Sequence, residues 1–308
     1  MPLSPPRPLR HDWDCTNVIT PYEGSPHPLF RGNRLIGLEI EALHPRSTRP
    51  NALQPFGVLK IDGSLRVMTG NTARHCFELA CHPASGDMLD AFLLDLTDRL
   101  ASERCETNSS CGLHIHADVR DLAPAQLTNL HFWWAIYEDL FFAIQPRERA
   151  SVTGFSRPAS SFTTFTSWQT QRYAALNVMA FGRHGTYEWR LGAGTTDYRA
   201  ILTQVQLISA FVDVFSQRPA LTSQQDPAYQ SLLSMDDRSF LIHFLKELAL
   251  PTSTIKVMVQ RIRQYNPSAL CASITPLMPP QEADDEENDD YDEDEDDVAL
   301  DTDQEDDD

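Results

Sequence analysis

Arg34-Leu-Ile-Gly-Leu-Glu-Ile-Glu-Ala-Leu43 alternates apolar and charged residues. Successive side chains of an extended chain point to opposite faces. Leu38, Ile40 and Ala42 therefore share one face and Glu39 and Glu41 the other, which is the pattern of a half-buried strand. Gly112-Leu-His-Ile-His-Ala-Asp118 repeats the pattern, with His114 and His116 on the polar face. Gly185-Thr-Tyr-Glu-Trp-Arg-Leu191 does so again, with Glu188 and Arg190. Two shorter extended segments are expected. One covers Phe56–Lys60 and ends in the turn Asp62-Gly63-Ser64, where Gly supplies a tolerant backbone. The other covers Cys76–Cys81, carries Glu78 and stops before Pro83.

Between these strands the period changes. Leu89, Phe92, Leu93, Leu96 and Leu100 recur at helical spacing over residues 87–104. A long helix is expected over about 122–144, capped by Asp121, with Pro124 tolerated in its first turn and Pro146 ending it. Its stretch His131–Ile144 is apolar nearly all round, so Phe132-Trp133-Trp134 reads as core rather than as a base-stacking platform. Residues 150–168 read as a loop, and Arg172–Phe181 as a short helix leading into a strand. Helices follow at about 198–217, 228–249 and 252–264. Mixed strands and helices without strict alternation predict an α+β fold, an antiparallel-leaning sheet covered by helices.

Composition narrows the function. The chain has 308 residues and a formal net charge of −19. Residues 282–308 hold 19 of its 44 acids and no Lys or Arg, which leaves 25 acids against 25 bases elsewhere. The body is neutral, so no nucleic-acid partner is expected from charge. No apolar stretch reaches the roughly eighteen residues of a spanning helix, so no membrane partner is expected either. Residues 1–33 read as a Pro-rich arm without the apolar core of a signal peptide. Residues 34–278 are expected to form the catalytic domain, and 279–308 a disordered acidic tail that aids solubility or docks on a basic partner. The six cysteines (15, 76, 81, 105, 111 and 271) include no CxxC pair. Neither a thiolate zinc site nor disulfide stapling is expected, and the setting is read as reducing and cytoplasmic. Cys111 is expected to pack rather than to react, since nothing beside it in sequence lowers its pKa.

Each polar pair has a plain reading when taken alone. Glu39 and Glu41 could be surface acids on a half-solvated strand, and Glu188 and Arg190 a simple ion pair. His114 and His116 could serve as metal ligands, phosphate donors or acid/base groups. If these strands belong to one sheet, the pairs together with Glu78 build a concave face of carboxylates, imidazoles and a guanidinium. Carboxylates combined with phosphate are the usual way to hold Mg²⁺, and such ions orient an in-line phosphoryl transfer. Neither a P-loop nor a Rossmann glycine fingerprint is present.

The ordered set of motifs resembles the amidoligase family. It comprises Gly37-Leu-Glu-Ile-Glu41, Asp62-Gly-Ser-Leu65, Glu78-Leu with Pro83, and Asn108-Ser-Ser-Cys-Gly-Leu-His-Ile-His-Ala-Asp118. It continues with Arg172-Tyr-Ala-Ala-Leu-Asn177 and Thr186-Tyr-Glu-Trp-Arg-Leu-Gly-Ala-Gly-Thr195, spanning about residues 35–200. That family is grouped with glutamine synthetase and glutamate–cysteine ligase. The resemblance implies a glutamine synthetase-like antiparallel sheet with a concave face that binds ATP and Mg²⁺ (or Mn²⁺). It implies activation of a carboxylate as an acyl phosphate, followed by attack of an amine. Under it, Glu39, Glu41, Glu78, His116 and Glu188 are metal ligands. Arg190 steadies the phosphoryl group, with His114 and Arg172 beside it in catalysis. His116, Arg172, Asn177 and Arg190 position phosphate or substrate, and Asp62 and Ser64 shape the substrate end. The implied partners are a small amino acid, amine or peptide substrate and a glutamine amidotransferase-type protein that supplies ammonia. One departure is Glu78-Leu-Ala-Cys-His-Pro83, one residue longer than the pattern of relatives. Two other readings stay open: a metal-dependent hydrolase on the same Glu/His set, and a non-catalytic binding protein that works through its tail.

Overall fold

The computed structural model describes residues 34–67, 75–150, 154–162, 165–221 and 226–266. The Pro-rich arm, the acidic tail, Cys15 and Cys271 lie outside them. Six strands form one sheet: β1 (Ile36–His44), β2 (Gly57–Lys60), β3 (His75–Cys81), β4 (Gly112–Asp118), β5 (Leu176–Asn177) and β6 (Thr186–Ala193). Their order is β2-β3-β1-β4-β6-β5, and every pairing is antiparallel. Helices α1 (Gly86–Ser102), α2 (Pro124–Ala143), α3 (Phe165–Gln169), α4 (Ala180–His184), α5 (Tyr198–Gln217), α6 (Pro227–Ser234), α7 (Asp237–Leu248) and α8 (Thr252–Tyr265) complete the described residues, with 3-10 turns at Asn51–Phe56, Arg147–Ala150 and Ala159–Ser161. The expected α+β class is observed.

Alternation decides which face is dry. Leu38, Ile40 and Ala42 of β1, Phe77 and Leu79 of β3, Leu113, Ile115 and Ala117 of β4, and Tyr187 and Trp189 of β6 are all buried in one core. Helix α2 lies on this face: Trp134 meets Trp189 edge-on at 6.4 Å, and His131 Nε2 lies 2.6 Å from the Tyr187 hydroxyl. Phe132, Trp133 and Trp134 are buried, as expected of core. Helix α5 packs against α2 and β4. By length and composition it could cross a bilayer, but Ile201, Val205, Ile208, Phe211 and Phe215 are buried within the fold.

Several boundaries differ from the sequence reading. Asp121 does not cap α2: its carboxylate accepts from Arg34 Nη1 at 2.8 Å, and the helix starts at Pro124, where Gln126 Oε1 accepts from the Ala123 N–H at 2.8 Å. The single helix expected over 228–249 is two, because Asp236 breaks it and caps α7 through the Ser239 N–H at 2.7 Å. The loop expected at 150–168 contains α3, and Arg172–Phe181 forms the two-residue β5 and the start of α4 rather than one helix. Gly185 is not part of β6. It ends α4 with φ 68°, and a Cβ there would lie 2.3 Å from Arg120 Cδ.

Burial pushes the His131 imidazole down to about 3. Below its ordinary pKa of about 6.5 the unfolded chain takes up a proton that the folded chain refuses, so stability rises with pH across this window. Urea unfolding between about pH 5 and 6.5 should show His131 contributing a slope of up to roughly 1.4 kcal/mol per pH unit, and His131→Gln should flatten the curve by that amount.

Candidate active site

The polar face of the sheet forms the floor of a cleft of about 750 Å³. Every residue singled out from the sequence lines it: Glu39, Glu41, Asp62, Ser64, Glu78, His114, His116, Arg172, Asn177, Glu188 and Arg190. The register explains the convergence. Glu39 stands between Ala80 on β3 and His114 on β4. Glu41 stands opposite Glu78, which in turn faces Lys60. His116 lies between Gly37 and Glu188, and Glu188 faces Asn177. The additional residue between Glu78 and Pro83 leaves Glu78 on this face.

A β-bulge sharpens the geometry. Leu113 pairs with Gly192 and Ile115 with Trp189, so Arg190 and Leu191 together stand opposite the single residue His114. Arg190 pairs with Glu188 and donates from Nε to the Phe155 carbonyl at 3.1 Å. Asn177 Nδ2 donates to the other Glu188 oxygen at 2.6 Å. His114 is buried, with Nδ1 3.2 Å from Glu39 Oε2 and 3.5 Å from Glu188 Oε1, and Nε2 3.7 Å from Glu41 Oε1. His116 is tied by Nδ1 to Thr186 Oγ1 at 2.9 Å and leaves Nε2 4.0 Å from both Glu39 and Glu188.

Crowding these groups sets their protonation. Burial alone raises the Glu39 carboxyl, but hydrogen bonds and charge from His114 and His116 outweigh it and hold Glu39 well below the usual carboxylate range. Glu41 goes the other way: burial raises it, Asp62 adds to the rise, and His114 and the Gly112 N–H only partly oppose them. Three groups of donor atoms lie within 4.8 Å of one another: Glu39/His116/Glu188, Glu39/Glu78/His114 and Glu41/Asp62/Glu78. The last is all oxygen, the donor type of Mg²⁺ and Mn²⁺, and the groups with one imidazole also suit transition-metal dications. The residues therefore fit a divalent cation. Asp62, expected at the substrate end, belongs to a donor group, and His114 is as much a donor as His116. The Asp62 turn is made by its own carboxylate, which accepts from the Ser64 N–H at 2.7 Å. Gly63 has no positive φ and open space around it, so the turn does not need the glycine conformation expected there.

No protein-family model matches the chain, and no curated protein matches it.

The structure adds cleft residues that the sequence reading passed over. Lys60 Nζ lies 2.7 Å from Glu78 Oε1 and 3.4 Å from Glu39 Oε1. Its one signal in the sequence is rarity, since the chain has three lysines and 22 arginines. Arg149 reaches in from a 3-10 turn and donates from Nη2 to the Arg190 carbonyl at 2.9 Å. Nothing in Arg147-Glu-Arg149 distinguishes it from Arg147. Arg172 and Arg183 line the mouth and form no ion pair among the described residues, and Arg172 lies over the Tyr173 ring at 5.1 Å. Cys111 packs with Leu43 and Leu65, and burial pushes its thiol up to about 11, as a packing role requires.

Gly112 is the close approach that lets the floor assemble. A Cβ there would lie 3.0 Å from His114 Nε2 and 3.1 Å from both Glu41 Oε2 and Arg149 Nη2. Gly112→Ala should cost about 1–3 kcal/mol in urea unfolding and weaken Mn²⁺ binding in a titration. Gly63→Ala, with nothing within 4 Å, should change neither.

Proposed function

We propose that the chain is an ATP- and Mg²⁺-dependent carboxylate–amine ligase of the amidoligase type, built on a glutamine synthetase-like sheet. It forms an amide or isopeptide bond through an acyl phosphate. One observation carries the reading. Carboxylates and imidazoles from β1, β3, β4 and β6 form three donor groups, each within 4.8 Å, in one cleft that Arg190, Arg172 and Arg183 also line. Donors for a divalent cation beside guanidinium groups suit a metal-bound polyphosphate. A hydrolase acting on an uncharged bond could use the same donors but has no need of Arg172 and Arg183, which line the cleft without an ion pair among the described residues.

In this reading the bound nucleotide and its cation supply an electrophilic phosphoryl group with partly neutralised charge. Glu39, Glu41, Glu78, His116 and Glu188 would supply the ligands for divalent cations. Arg190 meets the phosphoryl oxygens, kept in place by Glu188, the Phe155 carbonyl and the bulge. Arg172 and Asn177 flank the same end, and Asp62 and Ser64 border the other. The substrate carboxylate forms an O–P bond as the bond to ADP breaks. The amine then forms a C–N bond as phosphate leaves, and its surplus proton passes to a basic group of the cleft, for which the buried His114 is placed between Glu39 and Glu188. The acid, the amine and any ammonia-supplying partner belong to this proposal as classes.

Thermal unfolding with and without Mg·ATP tests it. Nucleotide at about 100 times its Kd should stabilise the fold by roughly 2.7 kcal/mol, a midpoint rise on the order of 2–4 °C per kcal/mol. Glu188→Gln and Arg190→Ala should abolish the rise. Mg²⁺ taken up by the acidic tail is common to all three proteins, so their difference isolates the cleft. Folded wild type that shows no shift with any nucleotide would exclude the ligase and favour the hydrolase.

A further inference from the structure

Lys60 stands on β2, the edge strand beside β3, with its side chain 48% exposed. Its ammonium contacts Glu78 Oε1 at 2.7 Å and Glu39 Oε1 at 3.4 Å. Glu39 and Glu78 form one donor group with His114, and Glu78 forms a second with Glu41 and Asp62. One ammonium thus sits on the carboxylate shared by two of the three groups. A protonated amine has no lone pair to offer a metal, so it cannot join the coordination shell. It also repels a dication that takes the same oxygens. The two cations therefore compete for Glu78. The side-chain type suits a reversible role: lysine is a point charge on a flexible stem, without the two-point hold of an arginine fork. In a chain of three lysines and 22 arginines, the cation at this position is one of the three.

We propose that Lys60 is a displaceable internal counter-cation. Without metal it neutralises Glu78 and Glu39 and keeps the crowded carboxylates together. When a divalent cation binds, the ammonium swings out toward the exposed side of β2, and the work of displacing it sets the metal concentration at which the site fills. This rests on the reading of the cleft as a divalent-cation site.

The test is a Mn²⁺ titration of the full chain, following free Mn²⁺ by electron paramagnetic resonance. Wild type, Lys60→Met and Lys60→Arg are compared, with the double variant Glu39→Gln/Glu78→Gln, which depletes all three donor groups, giving the background from the acidic tail. Lys60→Met should bind Mn²⁺ about tenfold more tightly or better, because removing a unit charge a few ångströms away is worth over a kcal/mol in a partly buried setting. Lys60→Arg should stay within a few-fold of wild type. Limited acetylation read by mass spectrometry gives a second measure, with the exposed Lys246 and Lys256 as internal references. Lys60 should react slowly without Mn²⁺ and faster with it. Mn²⁺ binding to Lys60→Met that is equal to wild type or weaker would overturn the proposal and leave the metal site standing. So would acetylation of Lys60 that Mn²⁺ leaves unchanged or slows. If wild type and both Lys60 variants bind no Mn²⁺ above the Glu39→Gln/Glu78→Gln background, the divalent-site reading fails and the proposal falls with it.

Discussion

The pairing register of β1 between β3 and β4 is the constraint on which the molecule rests. It sets Glu39 against His114 and Glu41 against Glu78, with Leu38, Ile40 and Ala42 in the core behind them. A slip by one residue would drive both glutamates into the apolar layer and turn the leucine and isoleucine toward the cleft. The same register manages space. Each crowded side chain has a small neighbour on one side: Ala80 beside Glu39, Gly37 beside His116, and Gly112 beneath Glu41 and His114.

Like charges held this close need opposing ones, and the structure draws them from many parts of the chain. Imidazoles come from β4, a guanidinium from β6, an ammonium from the edge strand β2, and Arg149 from a turn beyond α2. The balance is local enough that Glu39 and Glu41, two residues apart on one strand, move in opposite directions. Glu39 meets two histidines and is held ionised, whereas for Glu41 burial and the like charge of Asp62 outweigh one histidine, the Gly112 N–H and the Arg149 guanidinium. Neighbouring carboxyls with divergent protonation are a frequent property of sites that must both bind charge and move protons.

Much of this was legible in the chain because a strand's period is two. Alternation marked Glu39, Glu41, His114, His116, Glu188 and Arg190 as outward-facing and their neighbours as core, and the structure agrees at each of them. Legibility failed where a residue's role depends on a distant partner. Asp121 looked like a helix cap but serves Arg34. Asp236 sits inside a stretch that is apolar enough to read as one helix, and its side chain divides it. Lys60 and Arg149 stand in segments without a diagnostic period, and their importance lies in groups far along the chain.

The sequence by itself determined the class of fold, the polar face of each principal strand and the chemical types gathered there. These follow from local alternation and from the cost of burying charge away from an apolar core. Only the tertiary structure decided that the four polar faces lie in one sheet, with the acids of β1 between those of β3 and the imidazoles of β4. It also decided that a bulge sets Arg190 against His114, and that Lys60 occupies the carboxylate two donor groups share. Strand order, register shifts and cross-strand charge pairs are non-local: the pairings join residues as far apart as Ile36 and Ala117, and no local spacing encodes which of them will meet.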